Sequence, residues 1–274
     1  MPHTLIAGQL KRSGVLKENS GLARLRNPAN AGLLVGHNDS GGLPEVYVID
    51  HQAKVLNTTK VDTARAIDWE DISVGPGPDP GPYVYVSDSG DNGLRRRPTQ
   101  LYRFPEPEDA RTASRVIGER IDVTYSKDDE PVCIDCEAFA ISTGGDGVWL
   151  SKRMTGPGGH RRADVYVARG LAKARVTVEA ACVGSVQVPA NVGPIGPTGL
   201  DISGRVVAVR VLQGLLIWRR RAGESSVQAL TSRPADVVVP GGWGEAVAVN
   251  DDDASLWCLS EGAGAALTLT LVDG

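Results

Sequence analysis

The sequence predicts an all-β chain built from five copies of a four-stranded unit, the arrangement of a β-propeller. Short, Val-rich apolar stretches recur throughout the 274 residues, and the 33 Gly and 17 Pro supply many turns. Amphipathic stretches longer than about three helical turns are hard to find. The third observation is an internal repeat, which places a short strand and then a strand ending in a polar cluster at regular intervals.

The repeat fixes the order of the predicted strands. Its five copies begin at "SGLA" (20–23), "EDIS" (70–73), "EAFA" (137–140), "TGLD" (198–201) and "EAVA" (245–248). In each copy two further strands follow, and the earlier copies add a fourth, such as "RIDVTYS" (120–126), "RVTVEAAC" (175–182) and "SVQALTS" (226–232). The copies begin 50, 67, 61 and 47 residues apart. Four antiparallel strands repeated at roughly 40–60 residues are typical of a propeller blade.

The two ends of the chain complete one another in this interpretation. The last copy lacks a fourth strand, and "TLIAGQLK" (4–11) belongs to no copy. We therefore expect the N-terminal strand to complete the last blade, because closure of the ring leaves no sheet edge exposed. The prediction is one domain over residues 1–274 with five blades. A six-bladed alternative would divide the long second or third interval.

Propeller geometry brings the polar positions of the repeat to one rim. The first strand of each blade lines the central channel and starts at the face where the second strand ends. The residues that open the first strands are Ser20, Glu70, Glu137, Thr198 and Glu245. The residues that end the second strands are Asp39, Asp88, Lys152, Arg210 and Glu261.

So many carboxylates in a narrow funnel raise one another's pKa values unless cations neutralise them. A divalent ion, pairing with Lys152 and Arg210, or a carboxylic acid held protonated would each relieve the repulsion. We predict Glu70, Glu137 and Glu245 as acid–base groups or as ligands of a Ca²⁺ ion, with Lys152 and Arg210 holding an anionic group of the substrate. The alternative for any single Glu is that it caps backbone N–H groups of the neighbouring blade.

Other polar and aromatic residues near the predicted rim are candidates for substrate binding. They are Asp39, Asp88, Asp91, Asn92, Asp201, Glu261, His37, Trp69 and Trp243. For the two Trp residues, packing between blades is the favoured role and stacking on a substrate is the alternative. His160, in the Gly-rich loop "RMTGPGGHRRAD", is a further candidate.

Composition and motifs exclude several classes of function. A net charge of −4 and scattered Arg clusters argue against a nucleic-acid partner. No segment approaches the ~20 apolar residues of a membrane span, and the N-terminus shows no signal-peptide pattern. The single C-x-x-C, Cys133 and Cys136, has no second pair to complete a zinc site, and no nucleotide-binding motif is present, so no nucleotide or redox cofactor is expected. We expect a cytoplasmic monomer that binds a small polar molecule.

The motifs also resemble those of a known group of proteins. "HNDSGG", "DWEDISVGP", "YVYVSDSGDN", "DCEAFAIS", "VWLSKR" and "LWCLSEG", in this order, resemble motifs of a bacterial family of poorly characterised β-propeller proteins, over nearly the whole chain. The resemblance implies a propeller and no reaction. The rim residues that it supports are Glu70, Asp88, Asp91, Glu137, Lys152, Arg210, Glu245 and Glu261. More loosely, the layout is similar to that of calcium-containing lactonase-type propellers.

These observations favour a non-redox enzyme that acts on a small molecule by hydrolysis, elimination or cyclisation. A propeller that binds a sugar or a peptide without catalysis is the alternative. A scaffold whose acids serve only the packing of blades is a third interpretation.

Overall fold

The computed structural model describes residues 3–11, 14–156, 161–239 and 243–272. The chain is all-β, as predicted, with 53% of residues in strands and 6% in helices. Among the described residues, no helix is both long and apolar enough to cross a membrane. His160 lies outside the described residues.

The first half of the chain forms strands up to residue 132. They are β1 (His3–Gln9), β2 (Asn19–Arg24), β3 (Leu34–Asn38), β4 (Glu45–Ile49), β5 (Val55–Asp62), β6 (Asp71–Pro76), β7 (Pro82–Asp88), β8 (Thr99–Pro105), β9 (Arg115–Ile117), β10 (Glu119–Lys127) and β11 (Glu130–Val132). Strands β2 to β5 pair in chain order, and the short β9 extends their sheet at its edge.

The second half continues the same antiparallel pattern. Its elements are β12 (Cys136–Ile141), β13 (Gly147–Thr155), β14 (Arg161–Ala168), β15 (Thr177–Val188), β16 (Pro197–Ile202), β17 (Val206–Val211), β18 (Gly214–Arg219), α1 (Ser226–Ser232), β19 (Asp236–Val238), β20 (Gly244–Val249), β21 (Ser255–Ser260) and β22 (Ala266–Leu271). Strands β16 to β19 form one sheet, and β20 to β22 belong to another.

The strand predicted at "SVQALTS" is wrong, because this segment forms the helix α1. The Ser225 hydroxyl accepts a hydrogen bond from the Gln228 backbone N–H, and the Gln228 side chain accepts one from the Ser225 N–H. This capping box satisfies the free N–H groups at the start of a helix. Ala229 and Leu230 are buried on its inner side, and β19 supplies the fourth strand of that sheet.

The N-terminal strand pairs as predicted with the last strand of the chain. β1 runs antiparallel to β22, with Leu5 opposite Leu269, and completes the sheet β1-β22-β21-β20. The Leu10 N–H then donates to the Ala265 carbonyl at 2.9 Å. The two ends of the chain are thus joined in one sheet.

Eight strands follow one continuous path in the largest sheet, β12-β13-β14-β15-β10-β8-β7-β6. β10 and β15 join its two antiparallel halves by parallel pairing, with Asp122 opposite Thr177. The two end strands, β6 and β12, contact each other, so the sheet nearly closes like a barrel. The sequence did not predict this join.

The first strand of each antiparallel run lies at the centre of the molecule. β2, β6, β12, β16 and β20 contact one another in a ring, each touching the next and β20 touching β2. Two buried carboxylates connect these strands. Asp71 on β6 accepts hydrogen bonds from the N–H groups of Phe139 at 2.8 Å and Leu200 at 2.9 Å. Asp201 on β16 accepts one from the Val249 N–H at 2.7 Å.

Candidate functional site

Three glutamates predicted from the sequence lie together at one end of the inner ring. Glu70 immediately precedes β6, while Glu137 and Glu245 are the second residues of β12 and β20. Ser20, on β2, lies between two of them: its hydroxyl is 2.8 Å from the Glu70 carbonyl oxygen and 3.4 Å from Glu245 Oε2. The Glu137 charge is also the strongest charged influence on both Glu70 and Glu245.

Lys152 neutralises one member of this cluster. Its ammonium group forms an ion pair with Glu137 Oε1, and its backbone N–H donates to the Asp135 carbonyl at 2.9 Å. The other oxygen, Glu137 Oε2, is buried and accepts no hydrogen bond from the described residues. Glu137 therefore has one neutralised oxygen and one oxygen that lacks a donor among the described residues.

A second group of carboxylates shares only Glu70 with the predicted metal ligands. One oxygen from each of Asp39, Asp68 and Glu70 lies within 4.8 Å of the others, so this triad could hold a metal ion. Asp39 follows β3, whereas Asp68 and Glu70 precede β6. Within the described residues, Glu137 and Glu245 do not belong to such a group.

The backbone at Gly90 lies against two carboxylates of the triad, those of Glu70 and Asp68. A Cβ atom at this position would lie 2.1 Å from Glu70 Oε1 and 2.4 Å from Asp68 Oδ2. A larger residue at position 90 would therefore displace both carboxylates from their present positions.

Burial is the main cause of the raised pKa values at the rim. It raises the pKa of Glu245 to about 8, with further increases from the charges of Glu137, Glu261 and Asp39. It raises the pKa of Glu137 to about 7, although the ion pair with Lys152 opposes the shift. Both side chains therefore titrate near neutral pH.

The pKa values of the triad shift in the same direction. Burial raises the pKa of Glu70 well above its ordinary value, and the charges of Glu137, Asp39 and Asp68 add to the effect. Burial also raises the pKa of Asp68 and of Asp39, because removal from water disfavours the charged form.

Asp88 and Asp91, predicted to bind substrate, hold the segment that contains Gly90. The buried Asp88 carboxylate accepts hydrogen bonds from the Asp68 N–H at 3.0 Å and from Arg96 Nη2 at 2.7 Å. Asp91 accepts one from the Arg96 N–H at 2.7 Å, and Arg96 Nη1 donates to the Gly90 carbonyl at 2.7 Å. Arg96 was missed, because its position in the run "RRR" gave no sign of these contacts.

The remaining candidates occupy different environments. Arg210 is only 2% exposed, and its Nε donates to the Gly244 carbonyl at 2.9 Å. Trp243 is 61% exposed, and Glu261 and Asn92 are also exposed. Asp201 is buried in the inner ring, where its bonds to backbone N–H groups fit a structural role.

His37 and Trp69 lie in the core and expose no surface. His37 Nδ1–H donates to the Asn38 carbonyl at 2.9 Å, and the edge of one ring faces the other at a centroid distance of 5.7 Å. Burial lowers the pKa of His37 to about 4, so it is neutral at pH 7. Packing, the favoured role for Trp69 in the sequence analysis, agrees with this position.

Comparisons of the chain with models of protein families and with curated proteins found no match. The described residues at the rim form two groups with different chemistry. Glu70 belongs to the first group and is influenced by the charge of Glu137 in the second. The triad of Asp39, Asp68 and Glu70 supplies the oxygen ligands that a hard cation takes. Glu137 and Glu245, with Lys152 beside one of them, supply carboxyls that exchange protons near neutral pH.

Proposed function

We propose that the chain is a five-bladed β-propeller whose rim is the active site of a non-redox enzyme for a small polar molecule. The ring of five inner strands supports the propeller, since each begins a run of antiparallel strands. Pairing of β1 with β22 supports closure of the last blade by the N-terminus. The reaction is hydrolysis, elimination or cyclisation by acid–base chemistry.

The different environments of Glu137 and Glu245 carry this proposal. A general acid or base works best when its pKa lies near the operating pH, and these carboxyls have pKa values of about 7 and 8. Glu245, with the higher pKa, holds its proton at neutral pH and acts as the general acid. The Lys152 ion pair favours the ionised form of Glu137, which acts as the general base.

Lys152 and Arg210 have positioning roles in this mechanism. The Lys152 ammonium group holds the Glu137 carboxylate by one oxygen, which fixes where the other oxygen lies. Arg210 binds the Gly244 carbonyl at the start of β20 and so anchors the residue next to Glu245.

We further propose Ca²⁺ as the cofactor, held by Asp39, Asp68 and Glu70. The donor set fits, because Ca²⁺ prefers carboxylate oxygens and Asp39 and Asp68 are half-exposed to solvent. A bound cation would polarise a carbonyl group or activate a water molecule. It would also offset the repulsion that raises the pKa values of the triad.

Melting curves test the metal. Calcium at about 100 times its Kd should stabilise the fold by about 2.7 kcal/mol, which corresponds to a rise in Tm of roughly 5–10 °C for a chain of this size. Asp68→Asn and Gly90→Ala should reduce the rise, whereas Asp236→Asn, at an exposed position on β19, should leave it unchanged. A Tm that calcium and a chelator leave unchanged, with no metal in the purified protein, removes the ion from the proposal.

A panel of aryl esters and lactones tests the chemistry. Glu245→Gln should lower kcat at least about 100-fold on any substrate that is turned over, because a positioned acid contributes roughly that much. Glu108→Gln, an exposed carboxylate beyond the far end of β8, is the matched control. Turnover that Glu245→Gln leaves unchanged would overturn the assignment of the general acid.

The exposed indole of Trp243 favours the alternative, a module that binds a sugar or a peptide. Stacking of a sugar ring on an aromatic face needs no acid–base group. Binding of a sugar that Trp243→Ala abolishes, without turnover of any compound in the panel, would favour this alternative.

A further inference from the structure

Three cationic side chains of the described rim residues bind groups of the protein itself. The Lys152 ammonium group pairs with Glu137. Arg210 is buried, and its Nε donates to the Gly244 carbonyl. Arg96 donates to Asp88 and to the Gly90 carbonyl. These three cations therefore interact with groups of the protein rather than with an anionic substrate.

The carboxyl groups at the rim outnumber these cations and include Asp39, Asp68, Glu70, Glu137, Glu245 and Glu261. Asp39 and Asp68 are half-buried and Glu261 is exposed, so solutes can reach these carboxylates. Charge complementarity therefore favours a positively charged ligand.

Glu137 provides a second, independent observation. The residue is 6% exposed, and its buried Oε2 accepts no hydrogen bond from the described part of the chain. A buried acceptor without a donor is costly, so the native protein normally supplies a partner from the chain, from water or from a ligand. Since a carboxylate only accepts hydrogen bonds, the missing partner is a donor.

We propose that the rim binds a protonated amine, whose N–H groups donate to Glu137 Oε2 and Glu245. This inference rests on the proposed function only in placing the substrate at the same rim, and it differs from the anionic group that the sequence suggested. A primary ammonium group suits the site better than a quaternary one, which has no N–H to donate. Trp243, two residues before Glu245, exposes 61% of its surface, and an aromatic face attracts a cation.

Three probes of similar shape and different charge test the proposal. The ¹H–¹⁵N NMR spectrum of the full chain is titrated at pH 7.5 and constant ionic strength with n-butylamine, 1-butanol or butyrate. Butylamine should shift the amide signals of Glu137, Lys152 and Glu245, and its Kd should be at least about 10-fold lower than those of the other two, since a hydrogen bond to a charged group contributes roughly this factor. Butylamine that does not bind, or binds no better than butanol, overturns the proposal, as does tighter binding of butyrate.

Variants assign the binding to the two glutamates. A bound ammonium group favours the ionised form of Glu245. Glu245→Gln should therefore weaken binding of butylamine about 10-fold, and Glu137→Gln should weaken it as well, whereas the exposed Glu108→Gln should not. Circular dichroism spectra and melting curves confirm that each variant is folded. Equal weakening by all three variants would indicate non-specific attraction and overturn the site.

Two further experiments distinguish this proposal from the proposed metal site and from the proposed enzyme. Butylamine should still bind in the presence of a chelator, because its partners are glutamates. Loss of binding in the chelator would assign the amine to a metal-dependent site and contradict the proposal. Turnover of an ester without any binding of butylamine would overturn the amine site and leave the acid–base enzyme intact. Binding of butylamine without turnover in the panel would support the amine site and count against the enzyme.

Discussion

At the scale of single residues, Glu137 and Glu245 show how neighbours separate two similar side chains. Each is the second residue of an inner strand, and each is largely buried. Among the described residues, Glu137 has a cation at bonding distance, whereas Glu245 has the Ser20 hydroxyl at 3.4 Å. The Lys152 ion pair therefore accounts for the lower pKa of Glu137.

Their raised pKa values predict a stability that falls as the pH rises. Between the ordinary value of 4.5 and the folded values of about 7 and 8, the folded state binds more protons than the unfolded state. Each such carboxyl lowers the free energy of unfolding by up to about 1.4 kcal/mol per pH unit in that window. Metal-free protein should therefore melt at a higher temperature at pH 5.5 than at pH 8.5.

Glu245→Gln provides the control for this pH dependence. The variant lacks one of the two titrating groups, so the decrease in Tm between pH 5.5 and 8.5 should be smaller than in the unmodified chain. A Tm that rises over this interval would contradict the raised pKa values.

Asp71 is the clearest structural acid in the motif "DWEDIS". Asp71→Ala would leave the N–H groups of Phe139 and Leu200 without their acceptor and should cost at least about 2 kcal/mol of unfolding free energy in urea denaturation. The exposed Asp236→Ala should change it by less than about 0.5 kcal/mol. Similar values for the two variants would show that the Asp71 hydrogen bonds contribute nothing to stability.

At the scale of elements, the inner strands were predictable and several outer ones were not. Apolar residues mark β6 and β12 clearly, because both are buried along nearly their whole length. The helix α1 was missed because "SVQALTS" alternates like a strand, and its capping box depends on Ser225, one residue before the segment. The parallel pairing of β10 with β15 joins distant segments, which no local pattern reveals.

The N-terminal strand gives a prediction at this scale. Deletion of residues 1–10 removes β1 and the buried Leu10, exposes the backbone of β22 and should cause aggregation, measured by light scattering and size-exclusion chromatography. The double variant Leu5→Ser, Ile6→Ser changes only exposed side chains and should remain monomeric. A truncated chain that stays monomeric with an unchanged Tm would show that β1 is dispensable.

At the scale of the whole molecule, the sequence predicted that distant acidic residues converge. It did not predict that Asp39, Asp68 and Glu70 form a triad apart from Glu137 and Glu245. The repeat placed Glu70, Glu137 and Glu245 at equivalent positions, and the ring of inner strands brings them together. The triad depends on Asp39 and on Asp68, which stands two residues before the repeat position. Side-chain direction and the approach of Gly90 decide this grouping, and the spacing of residues in the sequence carries neither.

A ¹³C NMR titration of the glutamate carboxyl groups in metal-free protein tests the central claim most directly. We expect Glu137 to titrate at about 7 and Glu245 at about 8, and Glu137→Gln should lower the pKa of Glu245, because Glu137 is its strongest charged neighbour. If Glu137 and Glu245 both titrate near the ordinary glutamate value of 4.5, the rim holds no acid–base pair and the proposed function is wrong.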